Sequence, residues 1–274
     1  MKIKNLNSIS IDKIVECFLL SFSDYFVKMP TEIYYYEKRW KAARVNYELS
    51  YGMFDNEKLV AFIINGIDSQ NGELVAFNTG TGVLKEYRGQ KIIHQIYTHA
   101  FPEFFKSGIS MCRLEVITEN HRAIKVYSDI GFKKTRTLKC FKGEIINSGN
   151  TSIKKITFEN IKWDKIPNQD SYSWDNCKEA LQAGRDNYKF YEAYESNELI
   201  GFFAINSEIG YLAQFEIIND TETNWTKLFW GIAQVSTNIK INNIEERLVT
   251  KISALKKFGL ENYIDQFEMD MRIK

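Results

Sequence analysis

Residues 81–97, TGVLKEYRGQKIIHQIY, join a predicted strand to a predicted helix through a short basic loop that contains glycine. This order of elements directs the unpaired N–H groups of the loop and the positive end of the helix towards one point. Such a point can bind a pyrophosphate, and Arg88 and Lys91 add positive charge. The alternative is an ordinary strand-to-helix turn with exposed basic residues.

A second pattern, LEVITENHRAIKVYSDIGF, occupies residues 114–132 and begins with a strand that carries Glu115. Asn120 can cap the helix that follows it, and Gly131 can end that helix in the left-handed conformation. Ala123 and Tyr127 are four residues apart and share one helix face. The pattern therefore predicts a short helix whose functional side chains point towards the strand before it.

Together the two segments resemble the GNAT superfamily of GCN5-related N-acetyltransferases. The acetyl-CoA loop of that family reads Arg/Gln-x-x-Gly-x-Gly/Ala, and here it reads Arg88-Gly89-Gln90-Lys91-Ile92-Ile93. The arginine matches, whereas Lys91 and Ile93 replace the two small residues. The second segment matches the family's Asn…Tyr…Gly-Phe helix throughout and looks most like the ribosomal-protein alanine acetyltransferases. The resemblance is strong over 50–143, weaker over 1–49, and one of architecture alone over 150–274.

The resemblance implies an α+β (mixed α/β) chain with the GNAT acyl-CoA N-acyltransferase fold, duplicated along the sequence. It also implies acetyl-CoA as the acyl donor and no metal. In the family, the strand that corresponds to the one containing Val83 splays from its neighbour, pantetheine runs between them, and the next loop cradles the pyrophosphate. By this resemblance the cofactor-binding residues are Thr81, Gly82, Val83, Arg88, Gly89, Gln90, Lys91, Ile92, Ile93, His94, Asn120 and Tyr127.

The same resemblance makes Tyr127 and Glu115 the catalytic residues. Tyr127 would protonate the departing thiolate, and Glu115 would be the base, directly or through water. Each also has an ordinary structural interpretation, Tyr127 as a core aromatic and Glu115 as a strand carboxylate bonded to backbone. Lys91 is either a solvated lysine at a helix start or a ligand of the 3′-phosphate. His94 and His121 are more typical of surface residues than of catalysts.

Hydrophobic periodicity predicts the elements that position these residues. In the first half they are strand 2–9, helices 11–26 and 31–47, strands 50–54, 58–65 and 71–83, helix 89–106, strand 111–118, helix 120–130 and strand 132–143. Pro102 is expected to kink the third helix. A meander combined with strand–helix–strand units is typical of an α+β or mixed α/β fold.

The best domain boundary lies around Asn147-Ser-Gly-Asn150, and it divides the chain into an N-terminal acetyltransferase domain, 1–145, and a C-terminal domain, 151–274. The second half repeats the element order of the first. NELIGFFAIN (197–206) echoes EKLVAFIING (57–66), and the elements that follow are strand 210–218, helix 224–235, strand 238–244, helix 246–258, Gly259 and strand 262–273.

The second half lacks the residues that carry the resemblance. It has no Arg-x-x-Gly loop, and the acids of the run Glu216-Ile-Ile-Asn-Asp220 would repel a pyrophosphate. Counted back from Gly259, Leu255 stands where Tyr127 stands relative to Gly131. We interpret this half as a degenerate GNAT-like copy that supports the first half or walls the acceptor cleft.

Composition excludes several other classes of protein. Lys and Arg number 36 and Asp and Glu 35, so the formal net charge is +1 and argues against a nucleic-acid or anionic-membrane partner. No apolar run reaches the roughly 18 residues of a membrane span. Four Cys at long spacings suit a reducing cytoplasm, and neither they nor the three His have zinc-ligand spacing.

The sequence therefore predicts a cytoplasmic acetyl-CoA-dependent N-acetyltransferase, a monomer or homodimer. Its acceptor would be a primary amine of an unidentified small molecule or peptide. The alternative is a non-catalytic acyl-CoA-binding or sensing protein with the same fold, which the departures at Lys91 and Ile93 keep open. A third reading is a GNAT-fold scaffold that has lost the coenzyme.

Overall fold

The computed structural model describes residues 1–25, 27–70, 72–146 and 149–273. The chain divides into two compact units. Unit 1 consists of Met1–Thr135 and Glu268–Lys274, and unit 2 of Arg136–Phe267. These ranges differ from the predicted division at 145–151, and two residues of the predicted boundary, Asn147 and Ser148, lie outside the described residues.

Unit 1 contains the elements expected for the first half, with shorter helices than the periodicity predicts. Its sheet has the strand order β1-β2-β3-β4-β5-β12. Its elements are β1 (Lys2–Asn5), α1 (Ile11–Ser21), α2 (Ile33–Ala42), β2 (Tyr51–Asp55), β3 (Lys58–Gln70), β4 (Glu73–Val83), a 3-10 turn (Lys85–Tyr87), α3 (Ile92–Lys106), β5 (Met111–Ile117), α4 (His121–Ile130) and the end of β12 (Glu261–Arg272). Phe26 and Asn71, at the limits of two predicted elements, are not among the described residues.

The core of unit 1 forms around β3. Residues 59–66 of this strand are all buried, because α1 and α3 both pack against it and cover its two faces. The apolar stripe of α1, which includes Ile14, Val15 and Phe18, is buried. Helix α3 continues through Pro102 to Lys106. In the described part of the chain, no helix is both long and apolar enough to span a membrane.

A bulge and a splay shape the end of β4. The antiparallel register between β3 and β4 shifts so that Thr79 is an extra residue, between Gly80 opposite Ile64 and Asn78 opposite Asn65. The parallel pairing of β4 with β5 runs only from Val75↔Met111 to Asn78↔Leu114. Beyond the bulge, residues 80–83 stay paired with β3 while β5 diverges, and a gap opens between the two parallel strands.

Unit 2 repeats this order with one replacement. Its elements are β6 (Lys133–Glu144) from Arg136 onward, β7 (Ser152–Ile156), α5 (Lys178–Ala183), β8 (Lys189–Glu195), β9 (Glu198–Asn206), β10 (Tyr211–Ile217), α6 (Glu222–Ala233), β11 (Asn238–Glu245), α7 (Val249–Lys257) and the start of β12. Where unit 1 has α1 and α2, residues 157–188 form 3-10 turns and the short α5. The sequence pattern did not predict β7, α5 or β8.

The closing strands β6 and β12 are exchanged between the two halves of the sequence. The sequence predicts strand 132–143 as the last strand of the first domain, but from Leu138 to Glu144 it pairs antiparallel with β11 in unit 2. The end of β12 instead lies beside β5 in unit 1, where Ile273 N–H donates to Ser110 O at 3.0 Å. The alternation of apolar and polar residues in a strand shows which face is buried, but not which strand pairs with it. The predicted domain boundary therefore differs from the division seen in the structure.

An ion pair fixes the exchanged strand in unit 1. Arg113 of β5 donates from Nε and Nη2 to the two carboxylate oxygens of Asp270, at 2.8 and 2.7 Å. Glu268 lies 3.6 Å from the same guanidinium, and Thr135 donates its hydroxyl to Glu268. Both partners of the main pair are largely buried, so water competes weakly for them.

We expect Asp270→Asn to destabilise the full-length chain by about 1–3 kcal/mol, since it weakens a two-bond contact with a charged partner. Glu73→Gln is the matched control, because it makes the same chemical change in the exposed Arg272–Glu73 pair and should cost clearly less, since solvent screens that pair. Urea unfolding of the three proteins measures both. Equal losses would show that the exchanged strand does not depend on Arg113.

Candidate functional site

A cleft of about 1190 Å³ lies in unit 1. Its walls come from the ends of α1 and β4, the loop after β4, and the first turns of α3 and α4. All the predicted cofactor-binding residues line it except Gln90, which is exposed. The fold therefore brings the two sequence segments together around one cavity.

The floor of the cleft is the splayed end of β4, where glycine is required. A Cβ added at Gly82 would lie 2.5 Å from the Phe62 ring and 2.8 Å from Ser21 Cβ. Any side chain at this position would therefore displace the core. Thr81 and Val83, on either side of Gly82, line the cleft, and on the β5 side their strand has no partner among the described pairings.

The loop before α3 has the backbone of an anion-binding turn. Gly89 has φ +81° with open space around its Cβ position, and Lys91 has φ 53° and ψ 28°, the left-handed conformation. Lys91 occupies the motif position where the GNAT family has glycine, and its backbone adopts a conformation that favours glycine although the residue type departs. Directly after it, the 15-residue helix α3 begins and presents its free N–H groups.

Arg88 lines the cleft, and its guanidinium holds the loop in place. Its guanidinium donates to both carboxylate oxygens of Asp24 at 2.6 and 2.8 Å, to Ser21 O at 2.9 Å and to Val83 O at 3.2 Å. These bonds join the end of β4 to the end of α1. The hydrogen bonds from Arg88 lower the pKa of Asp24 to about 2, so the ion pair is complete above about pH 4 and is lost as the pH falls towards 2.

Tyr127 lines the cleft next to a chain of hydrogen bonds. Its hydroxyl lies near Thr81, the Thr81 hydroxyl donates to Asn78 Oδ1 at 3.0 Å, and Asn78 Nδ2 donates to the hydroxyl of Tyr97 at 2.8 Å. The bulge at Thr79 lets Asn78 and Thr81 point the same way. Burial raises the pKa of Tyr127 to about 12, so this hydroxyl keeps its proton at neutral pH.

Asn120 caps α4 as the sequence predicts. Its Oδ1 accepts from Ala123 N–H at 3.1 Å, and its side chain also hydrogen-bonds Tyr25. Tyr25 and Asp24, which follow α1, line the cleft, although sequence analysis assigned them no role. Neither residue belongs to a local sequence motif. Their place in the cleft becomes apparent only from long-range contacts, Tyr25 with Asn120 and Asp24 with Arg88.

Glu115 lies apart from this cluster. It is half-buried on β5, on the same strand face as Arg113, and it does not line the cleft. The acid that does line the cleft next to Asn120 is Glu119, which is exposed and accepts a hydrogen bond from Thr118. His94 and His121 also line the rim of the cleft, and both are exposed. In the described part of the chain, no three His, Cys, Asp or Glu side chains group as metal ligands.

We expect Lys91→Gly to stabilise the chain by about 1 kcal/mol, because a left-handed conformation costs a non-glycine residue roughly 1–2 kcal/mol. Lys91→Ala removes the same charge but keeps the strain, so it should give no such gain. Urea unfolding separates the two variants. A gain in both would show that the lysine charge, and not the backbone, is the source of strain.

Comparisons with known proteins agree with this geometry. The model of the acetyltransferase (GNAT) family matches residues 14–132. No protein among the curated sequences matches the chain.

Solved structures with the same fold cover both units. A GCN5-related N-acetyltransferase from Sphaerobacter thermophilus has TM-score 0.70 at 7% identity, over 100% of this chain and 96% of that one. A tandem GNAT protein from the clavulanic acid biosynthesis pathway has TM-score 0.69 at 11% identity, over 100% and 98%. A GCN5-related N-acetyltransferase from Anabaena variabilis has TM-score 0.64 at 12% identity, over 100% and 73%.

At these identities the structural likeness shows the fold alone, and it confirms the predicted fold class, a duplicated mixed α/β GNAT fold. The family match adds the sequence evidence in unit 1. Residues 14–132 therefore match the GNAT acetyltransferase family, and the chain has the tandem form of that fold.

Proposed function

We propose that the chain is an acetyl-CoA-dependent N-acetyltransferase whose donor site is the cleft of unit 1. The observation that carries this proposal is the splay between β4 and β5. The splayed residues Thr81, Gly82 and Val83 line the same cavity as the loop at Gly89 and Lys91 and as the hydroxyl-bearing Tyr127. A ligand with a diphosphate, an extended amide-containing arm and a thioester could use all three features.

The residues present fit coenzyme A. The backbone around Gly89, the left-handed Lys91 and the first turn of α3 suit the pyrophosphate, and the Lys91 ammonium adds charge beside it. Arg88 contributes by holding the loop, because its donors already bond Asp24 and two backbone carbonyls. Asn120 and the open side of β4 would hold the pantetheine arm, whose amides can pair with the strand as another strand would.

Acetyl transfer from a thioester to an amine needs an unprotonated amine, a polarised carbonyl and a stabilised thiolate. Backbone N–H groups at the splayed end of β4 would polarise the carbonyl. Tyr127 would donate a hydrogen bond to the sulfur. A phenol of pKa about 12 gives up its proton reluctantly to a thiolate, whose thiol has a pKa near 8.5, so stabilisation by donation is its main part in catalysis.

The amine would lose its proton on the other side of the thioester. Glu115 does not reach the cleft wall, so a role as base would run through water.

The acceptor class remains a primary amine of a small molecule or peptide, and the proposed location is cytoplasmic. The rival reading, an acyl-CoA sensor without turnover, is favoured by the observation that Glu115 does not line the cleft. Thiol release from acetyl-CoA with a panel of primary amines distinguishes the two.

We expect Gly89→Glu to weaken coenzyme A binding by roughly a hundredfold, because it places a carboxylate in the loop proposed to hold the pyrophosphate, where like charges repel. Gly89→Gln is the matched control, since it carries the same backbone strain without the charge. Titration calorimetry measures the affinity and thermal melting the fold. Equal affinities of the two variants would remove this loop from the proposed site.

Tyr127→Phe should lower kcat by about 10²–10³-fold, the range typical of removing one hydrogen-bond donor that stabilises developing charge, and should leave coenzyme A affinity nearly unchanged. Tyr25→Phe is the control, because it removes another hydroxyl from the same cleft. Because the pKa of Tyr127 is about 12, its loss should remove no limb of the pH–rate profile below about pH 10. Unchanged turnover in Tyr127→Phe would make Tyr127 a packing residue.

A further inference from the structure

Unit 2 has its own splay at the matching place. The pairing of β10 with β11 is parallel and begins at Tyr211↔Lys240, and β10 continues to Ile217. The register of β10 against β9 skips Ala213, between Gln214 opposite Ala204 and Leu212 opposite Ile205. When residues 57–66 (EKLVAFIING) are aligned with residues 197–206 (NELIGFFAIN), the bulged residue Ala213 corresponds to Thr79, the bulged residue of unit 1.

The same register identifies the residues that correspond across the duplication. Gly82 faces Phe62 in unit 1, and Glu216 faces Phe202 in unit 2, so Glu216 stands where Gly82 stands. Counted back from Gly131 and Gly259, Lys251 stands where Ala123 stands. The two small residues that leave the unit 1 cleft open are thus replaced in unit 2 by two long charged ones.

These two charges meet inside unit 2. Lys251 Nζ lies 2.5 Å from Glu216 Oε1, with side-chain exposures of 3% and 1%. Phe215 packs on Trp225 of α6, so the next residue, Glu216, points to the opposite face of the sheet. Lys251 starts on α7, which packs with α6, and its ammonium passes 4.4 Å from the Phe215 ring. Its stem therefore crosses through the gap between β10 and β11.

The segment that replaces α1 and α2 completes the filling. Tyr172 places its hydroxyl 2.8 Å from the carboxylate of Glu216, and Phe215 N–H donates to that hydroxyl at 3.2 Å. Phe215 occupies the position of Thr81, so a backbone donor that unit 1 leaves for a ligand is satisfied here by a side chain. Asn168 donates to the second carboxylate oxygen of Glu216 at 3.1 Å.

Asn176 then joins the two splayed strands. Its Nδ2 donates to Asn242 O of β11 at 2.9 Å, and its Oδ1 accepts from the Tyr211 hydroxyl of β10 at 2.8 Å. At the start of α6, Asp220 accepts from Trp225 Nε1 and from Thr250, each at 2.8 Å. An acid therefore occupies the helix start that would face a pyrophosphate.

We propose that Lys251, Glu216 and Tyr172 permanently occupy the coenzyme gap of unit 2, so that the chain takes up one coenzyme A, in unit 1. The inference rests on the proposed function for the identity of the ligand, but the filled gap itself rests on contacts within unit 2. The duplicated fold has kept the bulge and the splay there, and has satisfied the exposed backbone with its own side chains.

Hydrogen exchange of the full-length protein with and without coenzyme A tests the first half of this proposal. Coenzyme A should slow exchange over 79–94 and 119–127 and leave 211–217 and 249–255 unchanged, with one coenzyme bound per chain by calorimetry. Slowed exchange over 211–217, or two bound coenzymes, would overturn the proposal. Protection in neither unit would count against the proposed function without touching the filled gap.

Lys251→Ala tests the filling directly, because it restores the small residue found in unit 1. Exchange over 211–217 should rise by roughly tenfold or more as the gap opens to water. Lys256→Ala, on the exposed face of the same helix, should leave that exchange unchanged. Should Lys251→Ala fail to fold, Lys251→Met with Glu216→Gln keeps the volume without charges and should retain protection. Equal exchange in Lys251→Ala and the wild type would show that Lys251 does not fill the gap.

Discussion

The structure depends on one constraint, namely that the backbone polar groups of a splayed strand must find partners. In unit 1 the bulge at Thr79 turns the end of β4 away from β5, and residues 80–83 pair with β3 alone. Buried N–H and C=O groups without partners are costly. The unit must either leave this edge open to solvent and ligand or cover it with its own side chains. Unit 1 does the first, and by the contacts described here unit 2 does the second.

This constraint also explains where the small residues lie. Gly82 contacts the core on one side of the sheet, and a larger residue there would displace Phe62. Ala123 on α4 lines the cleft, and a larger residue there would fill it. The corresponding pair in unit 2, Glu216 and Lys251, costs desolvation of two charges. That cost is offset by the attraction between them and by the donors Asn168 and Tyr172 around the carboxylate.

Local sequence predicts much of this molecule. Periodicity located the strands and helices of unit 1, and the Asn120 cap and the Gly131 helix end are local features that a sequence states directly. The loop motif was harder, because Lys91 departs from the family residue while its backbone keeps the left-handed conformation. The pairing of Arg88 with Asp24 depends on residues 64 positions apart, and the exchange of β6 and β12 on strand pairing. Neither this ion pair nor this strand exchange produces a periodic pattern in the sequence.

The exchanged strand sets an order of events during synthesis. Domains generally fold as units, the N-terminal one first, while the chain is still being made. Here Arg113 must wait for Asp270, which lies 157 residues further along, so the whole of unit 2 is synthesised before unit 1 receives its last strand. Until then β5 is an open sheet edge, the kind that pairs with other chains. Unit 1 can therefore complete its sheet only after all of unit 2 has been synthesised.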